Sequence, residues 1–396
     1  MSVAATPRPA RLDSIDALRG IAMILMALDH TRDFFGSQAV SPTDVAHAST
    51  ALFFTRWVTN LCAPVFFLLT GTGAALLEAH LAPPSLARHL VTRGLWLLVL
   101  DVVVMRCFGL QFNLDFKVTM LLVLWALGWS MITLAALVRL STTAVAAIGA
   151  GLVLLHNLAD PVRAASLGAW APLWTLLHAP GFVSTDPAHL VFVSYPLVPW
   201  IGVTALGFAL GRWYRATAAA DRANTLVRLG LSLTVAFVAL RAVNRYGEPQ
   251  PWAVQPDAMR TVLSFLNTAK YPPSLLFLLM TLGPALSILG ILERGVPTLL
   301  RPAITIGRVP LFYYLVHFPL VHLLAVATCL VRYGGAHWMF ESPSLAQFPF
   351  TQPPGWGYPL PVVYLVWIAA VMCLFPLCRR FAALKQARRD WWLSYL

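Results

Sequence analysis

The sequence predicts an all-α protein, a polytopic membrane helix bundle of about ten transmembrane helices (within a range of about nine to eleven) with both termini in the cytoplasm. Two features of its composition indicate this fold class. Of the 396 residues, 59% are hydrophobic and only 11% are charged, whereas soluble proteins carry about 25% charged residues. A soluble protein of this size could not bury so much apolar surface.

Ten apolar segments are long enough to count as membrane spans. A hydrocarbon core about 30 Å thick requires about 20 residues of helix. The fifth segment is the shortest and could cross only part of the membrane, which would change the count. The predicted spans are residues 15–36, 52–78, 89–109, 117–139, 142–158, 192–214, 225–244, 274–293, 309–331 and 359–381.

Arginine and lysine residues predict the orientation of these spans. They are frequent near both termini and in the second-to-third, sixth-to-seventh and eighth-to-ninth connections, and sparse in most opposite loops; the connection 245–273 is an exception. Cytoplasmic loops carry the excess of positive charge, so both termini are predicted to be cytoplasmic. We therefore divide the chain into a cytoplasmic segment (1–14), a single transmembrane domain (15–381) and a basic tail (382–396).

The net charge of +12 reflects these loops and the tail, because the sequence contains no nucleic-acid-binding motif. The C-terminal stretch RRFAALKQARRDWW (379–392), which overlaps the tail, is both basic and aromatic, and this favours contact with an anionic lipid surface. The five cysteines lack the close paired spacing of zinc or redox sites. We predict membrane lipid as a partner, and no nucleic acid, metal or prosthetic group.

The first span contains ionisable residues that a purely structural membrane helix would avoid. Asp29, His30, Arg32 and Asp33 lie near its end, although each charge inside a membrane costs roughly 2.5–3.5 kcal/mol on insertion scales. Such groups must face protein or water. The default interpretation of intramembrane ionisable residues is a functional site.

Helical spacing predicts how these residues pair. His30 and Asp33 fall on one helix face, whereas Asp29 points about 100° away, because neighbouring residues do not face each other. If the helix continues, Asp33 is the expected partner that orients the His30 imidazole. Asp29 is expected to pair with Arg32 or with Arg56 of the second span.

His30 is therefore predicted to be a general base, with Asp29, Asp33 and Arg56 as the other catalytic candidates. An imidazole oriented by a carboxylate is a common protein base. A structural interpretation is also open for parts of the pattern. Asp16 and Arg19 could form a salt bridge at the cytoplasmic rim.

The opening helix, RLDSIDALRGIAMILMALDH, resembles that of the transmembrane acyltransferase superfamily. Arg19 and His30 match the Arg and the His, eleven residues later, of acyltransferase family 3. Four further blocks resemble bacterial relatives of heparan-α-glucosaminide N-acetyltransferase, and the resemblance runs from about residue 11 to 320. These blocks are ALFFTRWVTNLCAPVFFLLTG (51–71), YPLVPWIGVTALGFALG (195–211), NTAKYPPSLLFLLMTLGP (267–284) and GRVPLFYYLVHFP (307–319).

The resemblance implies an integral-membrane acyltransferase of a bacterial inner membrane. Acetyl-CoA or another acyl-CoA would supply the acyl group from the cytoplasm, and a sugar or amine would accept it on the other side; a homodimer is consistent with such relatives. His30 matches the proposed catalytic His of family 3. In the heparan enzymes that position is Asn and the catalytic His lies some ten residues later, so His47 is the alternative base. Asn60 stands where the bacterial relatives have His.

A thioester is already activated, so catalysis requires a base for the acceptor and a group that stabilises an oxyanion. His30 could act as the base or carry the acyl group in a two-step relay. Planar guanidinium groups bind phosphate bidentately; the candidates for binding coenzyme A are Arg19, Arg93 and Arg308. The candidates for binding the acceptor are Arg32, Lys270, Tyr271 and His317.

Two of these acceptor-binding candidates have structural alternatives. Lys270 could simply extend its amine to the interface, and a lone His317 could be satisfied by a backbone carbonyl. The alternative function is a proton-coupled transporter with Asp29, His30 and Asp33 as a proton relay. Transporters are expected to carry ionisable groups on several broken helices in matched halves. Here the polar groups concentrate on the first two spans, which favours the enzyme.

Overall fold

Helices form most of the computed structural model, which describes residues 12–344, 347–388 and 390–395. Most of the predicted N-terminal segment 1–14 and two residues of the predicted tail 382–396 lie outside the described residues. The α-helix Pro83–Val99 continues directly into a π-helix, Leu100–Leu110. The α-helices in the described part of the chain are α1 (Asp13–Phe35), α2 (Thr50–Thr59), α3 (Cys62–Glu78), α4 (Pro83–Val99), α5 (Val123–Leu137), α6 (Thr142–Leu155), α7 (Ala171–Leu177), α8 (Leu197–Ala216), α9 (Ala219–Val243), α10 (Ala258–Leu266), α11 (Leu275–Glu293), α12 (Arg301–Gly307), α13 (Pro310–Tyr333) and α14 (Leu360–Ala387).

Six helices of the described residues are long and apolar enough to cross a membrane, and the chain is a multi-pass membrane protein. The other four predicted spans also contain helix: α1 with its charged residues, α4 with the π-helix, the short α5, and α8. The total of about ten spans and the orientation of the termini remain predictions. The six are Thr50–Glu78, Thr142–Ala159, Ala219–Val243, Leu275–Glu293, Pro310–Tyr333 and Leu360–Ala387.

The predicted all-α fold requires a correction, because the chain also forms a small sheet. Strands β1 (Val118–Leu121), β2 (Gly181–Asp186) and β3 (His189–Val193) lie in the order β1-β3-β2, with β1 parallel and β2 antiparallel to β3. The predicted spans 117–139 and 192–214 therefore begin in strands. Short apolar runs rich in valine and threonine suit a strand as well as a helix, and periodicity alone does not separate the two.

The second predicted span is broken into α2 and α3. Helix α2 ends at Thr59, and α3 begins at Cys62. Pro64 has no N–H and cannot donate to the carbonyl of Asn60, so it is accommodated in the first turn of a new helix. The break leaves Arg56 in the last turn of α2, where this helix contacts α1.

Helix α1 contacts α2, α3, α11, α12, α13 and α14. The last carbonyls of a helix have no partner within it, and here the loop before α14 supplies two. Trp356 Nε1 donates to the Phe34 carbonyl at 2.9 Å, and the Tyr358 amide donates to the Phe35 carbonyl at 2.7 Å. These two hydrogen bonds stabilise the end of α1, which continues beyond His30 to Phe35, one residue before the end of the predicted span.

Helices α1 and α12 meet backbone to backbone. A Cβ atom on Gly20 would lie 1.8 Å from the carbonyl oxygen of Ala303, and one on Gly307 would lie 1.8 Å from that of Asp16. Only glycine permits this approach. Because α13 begins shortly after Gly307, at Pro310, this contact determines how α1 sits beside α13.

We expect Gly20→Ala to destabilise the protein, because the new methyl group would overlap a backbone oxygen that cannot rotate away. Overpacking of this kind costs about 1–3 kcal/mol. Thermal unfolding of the purified protein in detergent measures the effect. Gly151→Ala is the matched control, since a Cβ at this helical position meets no atom within 4 Å. Equal melting temperatures for the two variants would contradict the close contact.

Candidate active site

Two histidines from distant parts of the chain form the centre of the candidate site. His30 of α1 and His317 of α13 are joined through His30 Nδ1 and His317 Nε2, which lie 2.7 Å apart. His317 is fully buried, and its Nδ1 lies 3.1 Å from the carbonyl oxygen of Tyr313. The ring of Phe318 packs on His30 with centroids 4.0 Å apart, which restricts rotation of the imidazole.

The hydrogen bonds determine which nitrogens carry protons when both rings are neutral. A carbonyl oxygen only accepts, so His317 Nδ1 must donate to Tyr313. His317 Nε2 is then the acceptor, and His30 Nδ1 donates to it. The remaining nitrogen, His30 Nε2, carries a lone pair. The chain of contacts therefore presents one defined basic atom, as a general base requires.

The orienting partner of His30 is His317 and not Asp33, which is a correction to the spacing-based expectation. Asp33 Oδ1 lies 2.7 Å from Arg32 Nη2, so its carboxylate is turned to its neighbour in sequence. His317 was expected to bind the acceptor or to be satisfied by a backbone carbonyl. His317 does bond to a carbonyl, but only through Nδ1, and its Nε2 contacts His30.

Asp29 is surrounded by cations from three parts of the chain. Its carboxylate lies 2.9 Å from the guanidinium of Arg32 and 2.9 Å from that of Arg56. The ammonium of Lys270 is 3.8 Å from the same carboxylate. Both predicted pairings of Asp29 are therefore confirmed. Lys270 does not simply extend into solvent, because only 9% of its side chain is exposed.

A cavity of about 80 Å³ lies beside His30. Its walls include Asp29, Asp33, Lys270 and Tyr271. Predicted catalytic and acceptor-binding residues from two distant parts of the sequence therefore line the same cavity. The ring of Tyr195, which was not predicted from the sequence, packs edge-on against Tyr271 with centroids 5.2 Å apart. The cavity and His30 together form a small polar site.

A second, larger cavity of about 330 Å³ extends towards the end of the bundle where α1 begins. All three cofactor-binding candidates, Arg19, Arg93 and Arg308, line it. His89 of α4 and Lys385 of α14 also line this cavity, although neither was predicted from the sequence. A cluster of cations over largely apolar walls suits a ligand with phosphates at one end.

Arg19 and Arg308 are positioned by the first turns of α1. The expected Asp16–Arg19 salt bridge is confirmed, with Arg19 Nη1 3.0 Å from Asp16 Oδ1. Arg308 reaches Asp13 at 3.1 Å and Asp16 at 3.8 Å. Both guanidinium groups are thus held at the wall of the cavity by carboxylates of the same helix.

His47, the alternative base, lies apart from both cavities in the loop between α1 and α2. Its Nδ1 is 2.8 Å from Asp44 Oδ2, and 74% of its side chain is exposed. The hydrogen bond from His47 lowers the pKa of Asp44. An exposed pair of this kind offers a substrate no enclosed environment.

We expect Asp29→Ala to destabilise the protein more than Asp33→Ala. Removal of Asp29 leaves Arg56 and Lys270 buried without their carboxylate, and breaking a buried ion pair in this way costs about 3–5 kcal/mol. Removal of Asp33 leaves Arg32 still paired with Asp29. Thermal unfolding in detergent distinguishes the two variants, and an equal loss in both would contradict a network centred on Asp29.

Comparison with protein families identifies one matching model, described as heparan-alpha-glucosaminide N-acetyltransferase, catalytic, which covers residues 11–241. The match includes α1 to α8 and most of α9, and therefore His30, Arg56 and Arg93; Lys270 and His317 lie beyond it. Comparison with curated proteins finds no match. Because the model covers more than half of the chain, the protein belongs to the family of heparan-α-glucosaminide N-acetyltransferase catalytic domains, a family of membrane acetyltransferases.

Proposed function

We propose that the protein transfers an acetyl group from acetyl-CoA to an amine or hydroxyl group of a sugar, across the membrane, with His30 Nε2 as the general base. The observation that carries this proposal is the ordered contact chain Tyr313–His317–His30, which leaves His30 Nε2 as the basic nitrogen of a ring that lines the small cavity. Family membership supports the transferase class. The substrates and the direction of transfer are our inference from the charges and cavities.

The larger cavity is the proposed donor site. Arg19, Arg93 and Arg308, with Lys385, supply positive charge for the phosphates of coenzyme A, and the apolar wall suits the pantetheine arm. The cavity lies towards the end of the bundle that carries the start of α1. By the positive-inside rule this end is cytoplasmic, where acetyl-CoA is available, and the membrane is proposed to be a bacterial inner membrane.

The smaller cavity is the proposed acceptor site. Arg32 and Lys270 are held beside Asp29, and Tyr271 presents an aromatic ring on which a sugar can stack. When the acceptor attacks the thioester carbon, His30 Nε2 takes the proton from its N–H or O–H group. Collapse of the tetrahedral intermediate breaks the C–S bond, and the proton passes from His30 to the departing thiolate. A two-step relay through an acetyl-His30 intermediate is the variant of this mechanism.

The ion pairs favour this reaction over the alternative of a proton-coupled transporter. A relay through Asp29, His30 and Asp33 requires that the carboxylates exchange protons with the imidazole. Instead Arg32 contacts both carboxylates, and His30 bonds to His317. A homodimer and the contact of the tail with anionic lipid remain predictions from the sequence.

The central test is acetyl transfer by the purified protein in nanodiscs, with acetyl-CoA and a panel of amino sugars. We expect His30→Ala to lower the transfer rate by about 10²–10⁴-fold, the usual contribution of a general base, while coenzyme A still binds. His47→Ala is the matched control and should retain the wild-type rate. Failure of the wild type to bind or consume acetyl-CoA would refute the proposal, and loss of activity only in His47→Ala would move the base to that residue.

The histidine pair makes a separate prediction. His317→Ala removes the acceptor for the His30 Nδ1 proton and should lower the transfer rate about 10–100-fold, whereas His317→Gln offers a carbonyl oxygen in its place and should recover part of the loss. The two variants are compared at saturating acetyl-CoA. Wild-type rates in both variants, with unchanged stability, would show that the hydrogen bond from His30 to His317 does not matter, and an equal loss in both would show that a carbonyl oxygen does not replace the imidazole.

A further inference from the structure

The two cavities adjoin at three shared residues. Phe66 of α3, Val123 of α5 and Tyr314 of α13 each line both the larger and the smaller cavity. A thioester that enters from the larger cavity must therefore reach the acceptor in the smaller one at this junction. Two of the three side chains are purely apolar. The phenol of Tyr314 is the only side-chain hydrogen-bond donor among them.

Tyr314 also lies next to the base. The rings of Tyr314 and His30 are 6.4 Å apart between centroids and nearly perpendicular. Tyr314 and His317 lie three residues apart on α13, and their rings are in edge contact at 5.5 Å. One turn of α13 therefore carries both the residue that orients the base and the phenol at the junction.

The backbone amides near the junction are poorer candidates than the phenol for stabilising a negative charge. Helix α5 begins at this junction, and the N-terminus of a helix could in principle stabilise an anion. However, the buried carboxylate of Asp101 already accepts a hydrogen bond from the Leu122 amide at 2.8 Å. The Leu122 amide is therefore occupied, and a carboxylate already lies at this end of the helix, where it disfavours a second negative charge.

We propose that Tyr314 is a catalytic residue that donates its hydroxyl proton in a hydrogen bond to the thioester oxygen of the bound acyl donor. This inference rests on the proposed function and adds to it the group that stabilises the oxyanion. Attack by the acceptor forms the new C–N or C–O bond and moves the carbonyl electron pair onto oxygen, where the Tyr314 O–H group stabilises the charge. When the C–S bond breaks, the carbonyl re-forms, and Tyr314 ends as it began.

The first arm of the test uses the wild-type protein alone, in nanodiscs. Binding of acetyl-CoA is compared with that of S-ethyl-CoA, a thioether of similar shape that lacks the carbonyl oxygen. A hydrogen bond to this oxygen predicts that acetyl-CoA binds about two- to tenfold more tightly. Equal affinities overturn the inference and leave the proposed donor site intact. Binding of neither compound would instead refute the proposed function itself.

The second arm uses Tyr314→Phe, which removes only the hydroxyl oxygen. We expect equal affinities for the two ligands in this variant and a fall of about 10²–10³-fold in the transfer rate, as for the loss of one oxyanion donor. Tyr333→Phe is the matched control, since Tyr333 lies on the same helix and lines neither cavity. A transfer rate for Tyr314→Phe within about twofold of the wild type, or a retained preference for acetyl-CoA, would overturn the inference.

Discussion

The pairing of Asp29 with its cations is the constraint on which the rest of the site depends. A charge inside a membrane bundle is tolerated only when it is compensated, and here one carboxylate compensates guanidinium groups from α1 and α2 and the ammonium that precedes α11. These contacts tie three parts of the chain to the last turns of α1. The ion pairs thereby fix the positions of the polar side chains in the wall of the small cavity, such as Asp29 and Lys270.

The ion pairs of Asp29 and Asp33 are separate from the hydrogen bond of His30. The carboxylates of Asp29 and Asp33 are both engaged by Arg32, whereas His30 turns to a neutral partner, His317, across the helix interface. A neutral hydrogen-bond acceptor selects the tautomer of His30 without adding a charge beside it. In the proposed mechanism, the imidazole takes a proton from the acceptor and returns it to the thiolate within the same catalytic cycle.

Local periodicity predicted the features that depend on neighbours within one helix. The Asp16–Arg19 bridge and the pairing of Asp29 with Arg32 follow from residues three apart on a helical face, and both occur. Helical spacing also predicted Asp33 as the partner of His30, because it relates only residues of the same helix. Strand β1 was missed for a related reason: its four residues are too few to show a helical or strand period of their own.

Composition and apolar segments determined, from the sequence alone, that the chain is a helical membrane protein, and its motifs indicated the acetyltransferase family to which it belongs. The tertiary structure decided which groups meet. His30 and His317 are 287 positions apart, and the junction at Tyr314 exists only because α3, α5 and α13 converge on it. Such contacts arise from the packing of whole helices, such as the backbone approach at Gly20, and no local spacing in the sequence encodes them.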